Sequence, residues 1–244
     1  MKSIMAVSMH KAGSTIIDQI LLEFVQAKGY AIDRISLGVP KSPLPADEVY
    51  VSYQDKMLPD GVYYGVARGP YVSRMPVLKT MKIVMQVRDP RDCITSAYFS
   101  YKVSHVPPKD PTQRAEFMKR RRKLRELDID QYALSQVASY KTRMTILRDL
   151  QQANPDLLLL KYEDMVLNTP AWLDRISGFI GQPLTPELRA ALGDKIDFSV
   201  ESEDINRHKR QITPGDHKRK LQPDTIAQMT EALSEQLGLF GYAP

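Results

Sequence analysis

The chain has 244 residues, 43% hydrophobic and 26% charged, an ordinary balance for a folded protein with a sizeable core in one α/β domain. Its net charge of +5 favours an anionic ligand or partner, and its single cysteine, Cys93, excludes an intramolecular disulfide and a cysteine-based metal site. No apolar run is long enough for a membrane span or a signal peptide, so a cytoplasmic protein is expected.

Ile4-Met5-Ala6-Val7 reads as a buried strand, and the apolar spacing from Ile16 to Val25 predicts a helix. Between them lies Ser8-Met9-His10-Lys11-Ala12-Gly13-Ser14-Thr15, a strand-to-helix turn. Ser14 and Thr15 are placed to cap the helix, leaving its first amides for an anion. Lys11 adds a positive charge, and Gly13 lets the backbone come close to a ligand. The spacing excludes a Walker A loop, because Lys11 precedes Gly13 and no glycine lies before Lys11.

Tyr30 to Ile35 reads as a second strand, and residues 38–60, with Pro40, Pro43, Pro45 and Pro59, read as loop. Gly61 to Arg68 alternates in β-formers and reads as a strand ended by Gly69-Pro70. Lys82 to Val87 is another strand; Pro90 then starts a helix that runs to about residue 104, with Cys93 as a buried, unreactive thiol within it. After Pro107, Pro108 and Pro111, helices are predicted over 112–126 and 129–153. Leu157 to Tyr162 reads as a fully buried strand of a parallel sheet, followed by helices over 163–181 and 185–193. Residues 197–222 are charged, contain Pro214-Gly215 and read as loop, and a last helix spans about 224–238. Strands alternating with helices predict a three-layer α/β/α fold around a parallel sheet of about four or five strands, in a single domain over 1–244.

Lys11-Ala12-Gly13-Ser14-Thr15, after a first strand, resembles the 5′-phosphosulfate loop of sulfotransferases that use 3′-phosphoadenosine 5′-phosphosulfate (PAPS), usually Pro-Lys-Ser/Ala-Gly-Thr/Ser-Thr. Arg88-Asp89-Pro90-Arg91-Asp92-Cys93-Ile94-Thr95-Ser96-Ala97-Tyr98 matches that family's 3′-phosphate motif, Arg-x-Pro-Arg/Lys-Asp-x-x-x-Ser-x-Tyr, at each defined position. Leu157 to Gly181 is similar to the family's Tyr-Glu-Asp strand and helix, with Tyr162, Glu163 and Asp164 in those places. Arg207 to Lys220 resembles its late basic loop: Arg210, Gly215, Asp216 and Lys218 match, while Gln211, Ile212 and His217 stand for Lys, Gly and Trp.

The resemblance implies a P-loop-NTPase-like fold and in-line sulfuryl transfer from PAPS to a hydroxyl or amine of a small-molecule acceptor, leaving 3′-phosphoadenosine 5′-phosphate (PAP). Lys11 would stabilise the leaving group, with Ala12, Gly13, Ser14 and Thr15 around the 5′-phosphate and sulfuryl oxygens. Arg88, Ser96, Arg210 and Gly215 would serve the 3′-phosphate, and Tyr162 the adenine. No metal is implied, since no His/Asp/Glu cluster has ligand spacing. A monomer or homodimer is expected, with no membrane and no nucleic acid as partner.

Two departures stand out. Cytosolic members carry a catalytic His in a Thr-His-x-Pro segment, where this chain has Ala67-Arg68-Gly69-Pro70. Arg68 cannot be a base at neutral pH, but it could bind a sulfate or an acidic acceptor. Candidates for the base are His10, His105, Asp55 and Glu48; His105 is also a candidate on the acceptor side. Ile16 replaces a Trp that family members often carry near the adenine, so stacking must come from elsewhere, with Phe198 a candidate. The basic cluster of Arg114 and residues 119–125 reads as a solvated face. The rival readings are a P-loop-type nucleotide kinase and a non-catalytic nucleotide or nucleic-acid binder. Loop spacing and the lack of a carboxylate at the end of strand 82–87 weigh against the first. Arginine runs without interleaved aromatics weigh against a nucleic-acid binder.

Overall fold

A computed structural model describes residues 1–39, 42, 44–198 and 212–243. In chain order its elements are β1 (Ile4–Ser8), α1 (Ser14–Lys28), β2 (Ala31–Ile32), α2 (Ala46–Tyr53), β3 (Val62–Ala67), β4 (Lys82–Val87) and α3 (Pro90–Phe99). There follow α4 (Pro111–Glu126), α5 (Ile129–Ala153), β5 (Leu157–Lys161), α6 (Tyr162–Leu167), α7 (Thr169–Ile180) and α8 (Pro186–Leu192). The chain ends with α9 (Asp216–Lys220), α10 (Pro223–Ala232) and α11 (Ser234–Leu239). None of the described helices is long and apolar enough to cross a membrane.

The chain divides into two compact units. One combines residues 1–88 and 142–198 and holds the whole sheet, five parallel strands in the order β2-β3-β1-β4-β5. This is the α/β fold that the alternation of strands and helices predicts. Val7 pairs with both Ala67 and Met85, and Met85 with Leu159. The carboxyl ends of β3, β1, β4 and β5 are therefore aligned, and the segments at 68, 9–13, 88 and 162 leave the sheet along one edge. Ligand sites of open α/β sheets form at that edge. Helix α1 buries Ile17, Ile20, Leu21, Phe24 and Val25, a stripe at helical spacing.

Several expectations are corrected. Only Ala31 and Ile32 of the 30–35 segment form a strand, both exposed at the sheet's edge. Residues 38–60 contain α2, with Pro45 at its N-cap and Asp47 and Glu48 in its first turn; a proline at the start of a helix frames it instead of breaking it. Strand β5 is not fully buried: only Leu160 is, because β5 lies at the other edge of the sheet. The helix expected over 163–181 restarts at Asn168, ahead of Pro170. The one over 224–238 is divided at Leu233, and the 197–222 loop contains α9.

The second unit combines 89–141 with the described residues from 212 onward. Asp89 caps α3 by accepting the Arg91 N–H at 2.9 Å. The Arg91 side chain is buried, with bonds to both Asp89 oxygens, Thr230 Oγ1 and the Ala243 carbonyl. Cys93 lies in the core of α3 with Ile94 and Ala97, fully removed from solvent. Helix α3 runs on into a π turn, Ser100–Ser104, so the helix to about residue 104 is observed with a change of hydrogen-bond pattern.

Candidate active site

The turn after β1 is shaped by two left-handed residues, Lys11 (φ 71°) and Gly13 (φ 76°). For a lysine that conformation costs about 1–3 kcal/mol, so the surrounding contacts must hold it there. Gly13 is the N-cap of α1 and has no side chain to cap it; Ser14 and Thr15 are the first helical residues, not caps. The N–H groups of Ile16 and Ile17 both reach the Gly13 carbonyl at 3.0 Å. The amides of Ser14 and Thr15 lie at the positive end of the helix, where the helix itself offers them no acceptor.

Gln86, fully buried on β4, supports the turn from below. Its Nε2 donates to the Ala12 carbonyl at 2.7 Å, and its own carbonyl accepts from Ser8 Oγ at 2.9 Å. A Cβ on Gly13 would stand 2.8 Å from Gln86 Nε2 and 2.9 Å from Tyr162 Cδ2. The space a side chain would need is thus filled by the protein's own packing. Arg88, buried at the end of β4, donates from Nη1 to the Lys11 carbonyl at 3.1 Å, and its guanidinium lies 4.2 Å from the centroid of the Tyr162 ring. Lys11, Gly13, Arg88 and Tyr162 therefore form one cluster.

Arg68 joins it from β3. Its Nε donates to Ser14 Oγ at 2.8 Å, and its backbone N–H donates to Tyr71 Oη at 3.0 Å. The Tyr71 ring packs on Tyr50 at 4.9 Å. Burial raises both phenols above their ordinary range, so both stay protonated near neutrality. Behind the turn, the buried Asp18 of α1 pairs with Arg34 at 2.5 Å and accepts from Tyr63 at 2.7 Å. No local sequence pattern points to Asp18 or to the direct bond from Arg68. A polar residue in the apolar run of β4 is the one signal that marks Gln86.

His10 is exposed and lines a cleft of about 480 Å³ together with Glu48, so two of the base candidates share one space; Asp55 stands apart on an exposed turn. Phe198 is half-exposed at the end of the first unit's described chain. Ser96, Gly215 and His105 belong to the second unit. Ser96 is half-exposed on α3. Gly215 donates its N–H to Asp92 Oδ2 at 2.8 Å; Asp92 Oδ1 accepts the His217 N–H at 3.0 Å and faces His217 Nδ1 at 2.6 Å. Both side chains are buried, so the histidine that replaces the family's Trp clips this segment to α3. The His105 ring packs against Phe117 and Tyr101, and its carbonyl accepts from Arg121. Arg210 lies outside the described residues.

A family model described as the sulfotransferase domain matches residues 71–241. The matched span begins after the turn at 9–13 and includes Arg88, Ser96, Tyr162 and Gly215. No curated protein matches the chain. Among solved structures, the chain is similar to mouse sulfotransferase SULT7A1 complexed with PAP, with 17% identity, 99% of this chain and 89% of that one covered, and a TM-score of 0.65. It is also similar to retinol dehydratase in complex with androsterone and the inactive cofactor PAP, with 18% identity, 96% and 80% covered, and a TM-score of 0.54. For retinol dehydratase with retinol and PAP the values are 17%, 96%, 81% and 0.51. At such identities the likeness is one of fold.

Proposed function

The chain belongs to the sulfotransferase family, and on that premise we propose that it moves a sulfuryl group from PAPS to a hydroxyl or amine of a small-molecule acceptor, leaving PAP. The observation that carries this reading is that Arg68 bonds Ser14 and Arg88 bonds the Lys11 carbonyl in the turn that opens α1, at the carboxyl edge of a parallel sheet. Three cations and a set of helix amides are the donors an anionic nucleotide needs, so the residues present fit it. The neighbours in complex with PAP support the same ligand class.

When bound, PAPS supplies an activated sulfuryl group on a phosphate. Lys11 holds a positive charge where the leaving oxygen becomes negative. The backbone from Ala12 to Thr15 binds the 5′-phosphate and sulfuryl oxygens, and Arg68 adds its guanidinium beside Ser14. Arg88 binds the 3′-phosphate, a role the resemblance extends to Ser96, Arg210 and Gly215. Tyr162 orients the adenine. His10 accepts the acceptor's proton on a ring nitrogen, and His105 serves the acceptor side. The reading takes the whole chain as one domain, a monomer or homodimer in the cytoplasm.

Thermal unfolding with PAP, AMP, ADP or Mg-ATP tests the assignment, because a ligand of the folded state raises the melting temperature by mass action. PAP should raise it most, and Arg88→Ala should abolish the shift. A larger shift with Mg-ATP would favour the kinase reading, and an unchanged PAP shift in Arg88→Ala would remove Arg88 from the 3′-phosphate.

A further inference from the structure

Resting on the sulfotransferase reading, we infer that the acceptor is a neutral, hydroxyl-rich molecule of saccharide type, bound in the cleft beside His10, and not a flat apolar phenol or sterol. The position comes first. His10 is the residue before Lys11, and Gly69-Pro70, also in the lining, directly follows Arg68, whose guanidinium is bonded to Ser14. The cleft therefore adjoins the turn to which the sulfuryl group is assigned, and an acceptor seated in it meets that turn.

The lining then selects the chemistry. Of the ten residues around the cleft, four carry full charges: Asp47 and Glu48 from the first turn of α2, Arg74 from the turn after β3, and Arg143 from α5. Two acids and two arginines leave the walls balanced, which gives no preference for an anion or a cation. Arg74 bridges Glu48 at 2.9 Å and Asp47 at 3.3 Å. All three side chains stay 44–48% exposed, so the network is still hydrated.

An apolar ring laid on these groups would strip that water and return no hydrogen bonds. A sugar replaces the lost water with its own hydroxyls, both as donors to the carboxylates and as acceptors from the guanidinium groups. At about 480 Å³ the cleft is within the ordinary range for small-ligand sites.

The experiment is sulfated-product formation from PAPS by the intact protein. Methyl glycosides of neutral mono- and disaccharides would be compared with 4-nitrophenol and a 3-hydroxysterol. The saccharides should be preferred by at least about tenfold in kcat/KM. Asp47→Asn and Arg74→Gln, both at exposed positions that leave the melting temperature within a degree or so, should raise the saccharide KM about tenfold and leave the PAP-induced shift intact. Preference for the phenol or sterol would overturn the inference, as would an unchanged saccharide KM in both variants. So would PAP binding without transfer to any saccharide. Absence of a PAP shift in the wild type would instead remove the sulfotransferase reading beneath it.

Discussion

Arg68, at the carboxyl end of β3, donates from Nε to Ser14 Oγ at 2.8 Å, at the opening of α1. The bond holds a guanidinium against the helix's positive end, a place that favours an anion, and the proposed function puts one there. Replacing Arg68 with alanine is expected to lower kcat/KM for PAPS by roughly 10- to 100-fold, about 1.4–2.8 kcal/mol. Arg68→Lys should recover little, because an ammonium cannot bond Ser14 and face the ligand with a planar fork at once. Steady-state kinetics of both variants would decide this; wild-type values for Arg68→Ala would reduce the bond to a structural tie.

Lys11 offers a test in which stability and activity move in opposite directions. Its left-handed backbone suits glycine, so Lys11→Gly should raise the stability of the fold by about 1 kcal/mol. The same change removes the cation proposed to face the leaving oxygen and should lower kcat by two to three orders of magnitude, roughly 3–4 kcal/mol of barrier. Denaturant melts and turnover on the same preparation would show both effects; a loss of stability would mean that the lysine side chain, not the ligand site, is what holds the turn.

Asp92 holds three groups of the 215–217 segment with one carboxylate: two backbone N–H groups and the His217 ring, all buried or nearly so. Asp92→Ala leaves these without their partner and should destabilise the fold by about 3–5 kcal/mol. Asp92→Asn, which keeps one acceptor oxygen, should cost less. Urea unfolding of the two variants gives the comparison, and equal losses would rule out charge as the reason for the aspartate.

Alkaline stability follows from Tyr53. It donates to Asp33 Oδ2 at 2.6 Å, and that hydrogen bond, with burial and the carboxylate's charge, pushes the phenol from 10.0 up to about 12. Below pH 10 its contribution to stability is fully present. Between about 10 and 12 the folded chain keeps a proton that the unfolded chain has lost, so stability falls as pH rises. Melting temperatures of the wild type and Tyr53→Phe should therefore converge above pH 10; a constant gap would sink this account.

What could be read in the sequence is what lies close together in it. The turn after β1, the exit of β4 at Arg88 and that of β5 at Tyr162 each join an apolar run to a helix start, and each shows in a few consecutive residues. The Arg68–Ser14 bond spans 54 positions and the Gln86–Ala12 bond 74, and both depend on β3, β1 and β4 being neighbours in the sheet. Strand order has no local signature. The same gap explains β5: four leucines in a row announce a strand, yet only its place at the edge decides how much of it is covered. Helix α2 was hidden by prolines that surround it, and Gly13 owes its identity to Gln86 and Tyr162, which approach it from distant parts of the chain.

Strand β4 carries one more consequence. Its residues from Ile83 to Val87 are buried whichever way they point, so hydrophobicity alone would tolerate a slip of one position against β1. Such a slip would turn Gln86 away from Ala12 and strand an amide in the core, at the cost of an unmet hydrogen bond. Gln86 thus favours one of two equally oily alignments, and a single-residue insertion in β4 should take away the bond that supports the turn at Ala12.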